Sequence, residues 1–411
     1  MKSQFIQNTN RILTSLPCLV FFLIPLFKPS IIVYRRPTVS LFLDVWAVAV
    51  AAVIAVMYLG RMKVSRIILA IGAFEGFTLI STFINHGDYI TFAKQSVKLA
   101  ALCVLIDLCR QVDTKPVITA LMIILQILCI LNTLSIISSP QGMYILDDTT
   151  VNWSSEHSWI LGYDNVHITF ILPAVRIFLI YALNTHIPFS ITATLVAFTL
   201  VPVYVTWSAT SVSGITVFIA VAVITLIIKE SRVLLNYVTF AAANIVAFFV
   251  IVIFRLQEYF SFIIVDILKK DLTFTHRTDL WDAGLAAFRQ KPLTGYGVVT
   301  GEISNELIGQ IHCHNYYLQI LFESGITGMV LFIIILLLLV RPMLRCGNTV
   351  SACIMGRAML TFLLISQFDI YSHMMFFAMI VMAYHIEKIA GDLGEKVPAP
   401  PLLSFVKKKN S

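Results

Sequence analysis

Long apolar stretches that recur along the whole chain are the feature that most constrains its fold. About twelve of them approach 20 residues, the length that an α-helix needs to cross the hydrocarbon core of a bilayer. The composition agrees, because 58% of the residues are hydrophobic and 12% are charged, against about 25% charged in soluble domains. The sequence therefore predicts an all-α integral membrane protein with about twelve transmembrane helices. The predicted spans lie near residues 12–33, 40–60, 66–84, 92–109, 116–137, 165–184, 188–207, 212–228, 233–254, 316–340, 350–367 and 371–387.

Lysine and arginine residues between the spans indicate the orientation, since cytoplasmic loops carry an excess of them. Residues 138–164 contain no lysine or arginine and are predicted to form an outer loop. Lys28, Arg35 and Arg36 fall on the outer side of this arrangement, so the orientation of the first hairpin stays open. The side predicted to be cytoplasmic holds both termini and the basic residues Lys2, Arg11, Arg61, Lys63, Arg66, Arg110, Lys115, Lys229, Arg232, Arg341, Arg345, Lys388 and Lys396.

The formal net charge of +7 has the distribution expected of an inner-membrane protein and does not indicate a nucleic-acid partner. Basic residues are spread between the spans. Residues 391–411 form a basic tail with a run at Lys407–Lys409, which fits contact with anionic membrane lipids. The seven cysteines lie mostly in or beside apolar stretches and predict no disulfide framework.

One large loop departs from the orientation rule. The chain divides into helices one to nine over residues 1–254, a loop over 255–313, helices ten to twelve over 314–390, and the tail. The loop is predicted to be extracytoplasmic, yet basic residues are frequent in it. Either these basic residues bind an anion, or a loop of this length is translocated across the membrane regardless of its charge. These basic residues are Arg255, Lys269, Lys270, Arg277, Arg289 and Lys291.

A short amphipathic helix is predicted inside this loop. Apolar residues recur at helical spacing from Leu280 and Trp281 to Phe288, and Arg277 stands one turn before them on the same face. Pro292 ends the helix. Arg277 is then either aimed at an anion beneath the helix or a surface arginine that snorkels at the interface.

Polar side chains also mark the entrance to the tenth span. His312, His314 and Asn315 stand where the chain enters the membrane from the outer side, a depth at which polar groups pair or line a cavity. His314 suits a hydrogen-bonding or acid/base role. The alternative is a metal site made by the two histidines with Glu323, although no third ligand of suitable spacing is evident.

Three further polar residues lie in or beside apolar segments. Arg176 lies inside the sixth apolar stretch, where it faces a lipid-diphosphate cavity or snorkels to the membrane surface. Asp369 and His373 lie near the last outer turn and are candidates to line the same site.

Several motifs in and after the late loop resemble the signature of the O-antigen ligase and polymerase superfamily. They cover about 50 residues: Arg277 and Trp281, Pro292-Leu293-Thr294-Gly295-Tyr296-Gly297, His314-Asn315-Tyr316-Tyr317-Leu318, and Glu323-Ser324-Gly325-Ile326-Thr327-Gly328. A third family motif, Ser-Arg-Gly or a similar string, follows the seventh span. Here that place reads Trp207-Ser208-Ala209-Thr210-Ser211-Val212-Ser213-Gly214 without the arginine. This difference favours the polymerase-like members.

The resemblance implies a metal-independent, inverting glycosyltransferase of the membrane GT-C kind that needs no cofactor. Its donor would be a glycan on undecaprenyl diphosphate and its acceptor a second glycan or lipid A-core. A chain-length regulator and a flippase would be partners in the same pathway. Arg277 would match the family's essential loop arginine and His314 its essential histidine. Arg255, Arg289, Lys291, Asn315, Trp281 and Arg176 are the further candidates for substrate binding.

Three functions are compatible with these sequence features. A polymerase joins lipid-linked repeat units, whereas a ligase moves the glycan from the same donor to lipid A-core. A lipid-linked oligosaccharide flippase is the third, but it would show paired halves with polar residues at mid-membrane depth, and the sequence has no such repeat.

Overall fold

A computed structural model describes residues 14–60, 63–146, 156–228, 235–255, 259, 262 and 277–398. This part of the chain forms seventeen α-helices and one antiparallel pair of short strands. Of the sequence-based predictions, the first and last residues, Lys269, Lys270 and most of the lysine-rich tail lie outside the described residues.

The first half of the chain is a succession of helices interrupted by one hairpin. The helices before the hairpin are α1 (Leu16–Leu23, followed by the 3₁₀ turn Ile24–Leu26), α2 (Ser30–Arg35), α3 (Pro37–Leu59), α4 (Arg66–Ile84), α5 (Tyr89–Arg110) and α6 (Lys115–Ser138). The strands are β1 (Tyr144–Leu146) and β2 (Glu156–Ser158), which pair with Ile145 opposite His157.

The second half is also helical. The helices before the late loop are α7 (Asp164–Asn184), α8 (Phe189–Val205), α9 (Ala209–Ile227) and α10 (Tyr237–Phe248, which continues as the π-helix Phe249–Ile253). The loop contains α11 (Arg277–Gln290) and α12 (Gly301–Ile308). The remaining helices are α13 (Tyr316–Leu338), α14 (Val340–Arg345), α15 (Val350–Ile365), α16 (His373–Tyr384) and α17 (Ile386–Asp392).

Side chains at the helix starts explain several of these boundaries. Asp88 accepts hydrogen bonds from the N–H groups of Ile90 and Thr91, both at 3.0 Å, and so satisfies the free donors of the first turn of α5. Asn236 and Thr349 cap α10 and α15 in the same way. Proline stands in the first turn of α3 and α6, where its missing N–H costs nothing.

The helices fit a multi-pass membrane protein, although fewer of them reach full span length than the predicted twelve. Every predicted span coincides with a helical segment. Five helices are long and apolar enough to cross a bilayer, or six if the pair α16 and α17, bent by 72°, counts as one span. The other apolar helices are shorter, and α5 carries four charged residues. The number of twelve therefore stays a prediction. The five are Pro37–Leu59, Arg66–Ile84, Lys115–Ser138, Asp164–Asn184 and Tyr316–Arg345.

Two apolar clusters hold the described helices together. The larger runs through the bundle and includes fully buried residues of α5, α7, α15 and α16. The smaller lies under α11 and includes Trp281, Tyr296, Leu318 and Phe322. The second cluster fixes the late loop to the end of the bundle, which positions its polar residues.

Contacts between loops divide the connections into two sets, one at each end of the bundle. At one end Ile31 bonds to Ile160, Asp88 to Val298, and Tyr316 to Ser366. At the other end the N–H of Thr114 donates to Asp392 at 2.8 Å, and Arg345 donates to Glu387 at 2.7 Å. These are the same two sets of loops that the alternation of spans in the sequence predicts.

Lys28, one of the basic residues that break the orientation rule, has a carboxylate partner. Lys28 donates to Asp44 and to the hydroxyl of Ser40, each at 2.8 Å. Lys98 donates to the other oxygen of Asp44, also at 2.8 Å. The pairing offsets the cost of placing Lys28 in the bundle.

Candidate active site

The predicted amphipathic helix of the late loop is present as α11, with Arg277 as its first residue. Its apolar face is buried: Trp281 is fully enclosed, and Leu280 and Ala287 are nearly so. Gly284 permits the close approach to α13, because a Cβ atom there would lie 2.9 Å from Leu318. The helix therefore lies against the start of α13 with Arg277 at one end of the contact.

A break in α13 explains the Glu323–Gly328 motif. Gly325 has φ of +59° and interrupts the helix, which leaves the carbonyl groups of the preceding turn without helical partners. The N–H groups of Tyr296 and Gly297 donate to the carbonyls of Phe322 and Glu323, each at 2.8 Å. The Pro292–Gly297 motif of the loop and the Glu323–Gly328 motif of α13 thus interlock through backbone hydrogen bonds.

The glycines of these strings are required by the close packing. A Cβ atom on Gly295 would stand 2.5 Å from the carbonyl oxygen of Phe322, and one on Gly297 would stand 2.4 Å from the Cα atom of Thr82. Both glycines also have positive φ. The two glycines therefore let the Pro292–Gly297 motif pack closely against α4 and α13, which builds the platform for the site.

Two side chains, one imidazole and one guanidinium, converge on one carboxylate at this end of the bundle. Asp369, in the turn between α15 and α16, accepts a hydrogen bond from Nδ1 of His314 at 3.1 Å. A guanidinium nitrogen of Arg277 lies 3.6 Å from its other oxygen. Arg277 also donates to the backbone carbonyl of Phe368. The two residues that the family resemblance marks as essential are thus joined through a third.

The charge of Asp369 is stabilised by these contacts. Burial by itself raises the pKa of its carboxyl group, but the hydrogen bond from His314 and the positive charge of Arg277 outweigh burial and lower the pKa to about 2. An ionised carboxylate only accepts hydrogen bonds, so Nδ1 of His314 carries the proton and Nε2 is left as the acceptor.

His312 packs against His314 in the same cluster. Their rings are 4.1 Å apart, and Nδ1 of His312 faces the backbone N–H of His314 at 3.3 Å. His314 has φ of +44°, a conformation that is uncommon for residues other than glycine. Burial lowers the pKa of His312 to about 4, and the neighbouring His314 acts in the same direction, so its imidazole is neutral at pH 7.

A pocket opens beside Asp369. Ser372 and the hydroxyl-bearing Tyr371 contribute to it from the same turn, and Asn165 and Thr169 contribute from α7. The hydroxyl of Tyr371 is buried and has no hydrogen-bond partner in the described part of the chain. Ser208, in the segment that corresponds to the third family motif, donates to Asn165 and so connects that motif to the pocket.

Sequence reasoning placed Asp369 only among lesser candidates. The sequence showed only that this carboxylate stands in a predicted outer turn, and no motif surrounds it. His373, the other residue proposed there, packs its ring against Tyr316 at 5.0 Å and is not among the residues that line the pocket.

Asn315 and Trp281, two of the predicted substrate-binding residues, are buried beside the residues of the cluster. Asn315 caps α13 by accepting from the N–H of Leu318 at 3.0 Å, and it donates to the carbonyl of Gln367 at 2.7 Å. Trp281 belongs to the small apolar cluster. Both residues therefore position His314 and Arg277, respectively, because their own side chains are fully enclosed.

The other basic residues of the loop lie at different distances from the cluster. Arg255 donates to the carbonyl of Thr278 at 2.9 Å and pairs with Asp282, which ties it to the first turn of α11. Lys291 bonds to Asn85 and lies 4.3 Å over the ring of Tyr296. Arg289 is exposed on α11. Arg255 therefore contacts the part of α11 that begins at Arg277. Lys291 instead contacts the Pro292–Gly297 motif through Tyr296.

Arg176 is enclosed in the bundle and does not snorkel, which was one of the two alternatives that the sequence left open. Only 1% of it is exposed, and its guanidinium nitrogens lie 2.9 Å from the sulfur of Met355 and 3.5 Å from that of Met382. Along α7 it is roughly 16 Å from Asn165 of the pocket. It faces the interior of the bundle, between α15 and α16.

Comparison with known proteins bears on this arrangement. A family model described as O-Antigen ligase matches residues 193–333, about a third of the chain, which include Arg277, His314 and both interlocking strings. The resemblance to the O-antigen ligase and polymerase superfamily is confirmed. A search of curated proteins found no match. The superfamily match supports a membrane enzyme of the ligase or polymerase type, which acts on a lipid-linked glycan and an acceptor. Asp369 lies outside the matched segment, so its part in the site rests on the structure.

Proposed function

We propose that the chain polymerises oligosaccharide repeat units carried on undecaprenyl diphosphate, at the outer face of the inner membrane, to make a surface polysaccharide. The observation that carries the proposal is the convergence of Arg277 and His314 on Asp369 beside a pocket. A twelve-span GT-C-like bundle with both termini in the cytoplasm would place this cluster outside, where the lipid-linked glycan is presented.

Arg277 is the group that stabilises the leaving diphosphate. Negative charge grows on the diphosphate oxygens as the bond between sugar and phosphate breaks, and a guanidinium provides permanent charge with two parallel donors. Arg277 is 17% exposed in its side chain, so it can reach a ligand while Asp369 holds it in place. Such preorganised charge is usually the largest catalytic contribution.

His314 accepts the proton of the attacking hydroxyl. Asp369 fixes the proton on Nδ1, which leaves Nε2 to orient the acceptor sugar and remove its proton. Asp369 is engaged by both neighbours and does not act as a nucleophile, which favours a single displacement with inversion at the anomeric carbon. Each of these steps uses protein groups, and the proposed transfer is metal-independent.

One feature favours polymerisation over ligation. The segment 207–214 lacks the arginine of the family's third motif. The second candidate function is therefore an O-antigen ligase that transfers the glycan to lipid A-core, and a flippase is the least supported of the three.

The test is complementation of a strain that lacks the gene. Arg277→Lys and His314→Ala are expected to remove long glycan chains, whereas the matched control Arg289→Lys retains them, with equal amounts of each protein in the membrane. Wild-type amounts of long chains from either site variant would refute the site. The same gel separates the two candidate functions, because a polymerase defect leaves single repeats on the final acceptor and a ligase defect leaves long chains on the lipid carrier.

A further inference from the structure

His312, His314 and Asp369 together have the geometry of a metal site. One ligand atom from each side chain lies within 4.8 Å of the other two. Two imidazoles and one carboxylate are a set that binds Zn²⁺ and leaves a fourth position open. Nδ1 of His314 and Oδ1 of Asp369 are 3.1 Å apart, close to the ~3.3 Å that separates two ligands on a tetrahedral zinc ion with bonds near 2.0 Å.

The third ligand is a different residue from the one considered in the sequence. Glu323 was the candidate to complete a site with the two histidines. In the structure Glu323 accepts a hydrogen bond from Gln319 at 2.7 Å within the broken helix α13. Asp369, which is 55 residues from His314 in the chain, takes its place because the turn before α16 folds back over the start of α13.

We propose that His312, His314 and Asp369 bind a divalent transition-metal ion, with Zn²⁺ as the preferred ion, and that this ion inhibits the enzyme. Imidazole ligands favour Zn²⁺ over Mg²⁺ or Ca²⁺, which prefer all-oxygen sites.

The bound ion acts on the residues that perform the proposed transfer. It takes His314 away from its hydrogen bond with Asp369 and adds a second cation next to Arg277, whose nitrogen is 3.6 Å from the same carboxylate. Coordination through Nδ1 would place the proton of the neutral imidazole on Nε2, so His314 could then no longer accept a proton there. Metal binding itself does not depend on the proposed function, whereas the inhibition rests on it.

Metal binding is measured directly on the full chain, purified without a polyhistidine tag and placed in lipid nanodiscs. Zn²⁺ is titrated by calorimetry, and Co²⁺ is used as a visible-absorption probe of a tetrahedral site. Wild type is expected to bind one ion per chain. His312→Asn keeps an acceptor for the N–H of His314 but removes a zinc ligand, so its affinity is expected to fall at least about tenfold, as is that of Asp369→Asn.

Two control variants test whether the site is the one proposed. His157→Ala removes an exposed histidine of β2, and Glu323→Gln removes the alternative carboxylate, and both are expected to bind Zn²⁺ as wild type does. Absence of binding to wild type, or equal affinity of His312→Asn and wild type, would overturn the site.

Inhibition is measured separately, as the ratio of glycan elongation with and without micromolar Zn²⁺. Wild type is expected to lose most of its elongation and to recover it with a chelator, whereas the ratio for His312→Asn stays near one. If Zn²⁺ binds at this site but leaves elongation of wild type unchanged, the inhibitory role is overturned. If no chain elongates its glycan under any condition, the proposed function fails while the binding result stands.

Discussion

Two clusters of the same residue types occupy opposite ends of the helix bundle. The loop-end cluster contains Asp369, His314 and Arg277. The opposite cluster contains Asp107 of α5 with His385 and Arg110, and it adds the hydroxyl of Tyr58. Each joins a carboxylate, an imidazole and a guanidinium, yet their surroundings differ.

The difference lies in what each cluster leaves unoccupied. Asp107 is fully buried and accepts from His385 at 2.7 Å, from Tyr58 at 2.5 Å and from Arg110 at 3.2 Å, so its acceptor positions are filled by the protein. Asp369 lines a pocket, and His314 keeps 27% of its side chain exposed. A cluster whose hydrogen-bonding positions are all filled by the protein joins helices. A cluster that lies beside a pocket and keeps some of these positions open can act on a ligand.

The largest expected effect on activity comes from Asp369→Asn at the loop end. The amide has the shape of the carboxylate, but it removes the charge that holds Arg277 and that fixes the proton on Nδ1 of His314. We expect elongation to fall at least about 100-fold with little change in membrane abundance. Asp282→Asn, on the exposed face of α11, is the matched control. Activity of Asp369→Asn within a few-fold of wild type would remove the functional distinction between the two clusters.

The opposite cluster is expected to respond in the reverse manner. Asp107→Ala leaves Tyr58, His385 and Arg110 without their common acceptor, which should cost roughly 3–5 kcal/mol of folding stability. The measurement is thermal unfolding and membrane abundance, with elongation given per folded protein. A stable but inactive Asp107→Ala variant would show that this cluster also serves the reaction.

Acid should affect the loop-end cluster only at low pH. The pKa of Asp369 is lowered from 3.8 to about 2, so its stabilising charge is complete above pH 3.8 and is lost as the pH falls towards 2. This contributes roughly 2 kcal/mol, which wild type should lose between about pH 4 and pH 2 and Asp369→Asn should not. Unfolding midpoints of both proteins across this range provide the check, and parallel curves would contradict it.

The smallest effects are expected for the basic residues around the platform. Arg289→Ala removes an exposed side chain and should change elongation less than about threefold. Lys291→Ala removes the bond to Asn85 and the contact with the ring of Tyr296, so a loss of roughly 1 kcal/mol of stability is expected. A large loss of activity in Arg289→Ala would extend the anion site beyond Arg277.

The sequence by itself determined the local features of this protein. Apolar stretches of span length determined where helices form, because a helix satisfies the hydrogen bonds of its own backbone within the bilayer. The periodic apolar residues from Leu280 to Phe288 determined α11, and proline and glycine determined its end. Arg277 and His314 were recognisable because they stand in an ordered set of motifs that the superfamily match covers.

Only the tertiary structure decided how these features combine. The pairing of His314 with Asp369 joins residues 55 positions apart, and neither periodicity nor composition records such a contact. Arg176 is enclosed between two methionines because α7 packs against neighbouring helices. The sequence of α7 alone does not indicate which helices these are. The same holds for the two Asp–His–Arg clusters. Their residue types are alike in the sequence, and only the packing around them leaves one open to a pocket and fills the other.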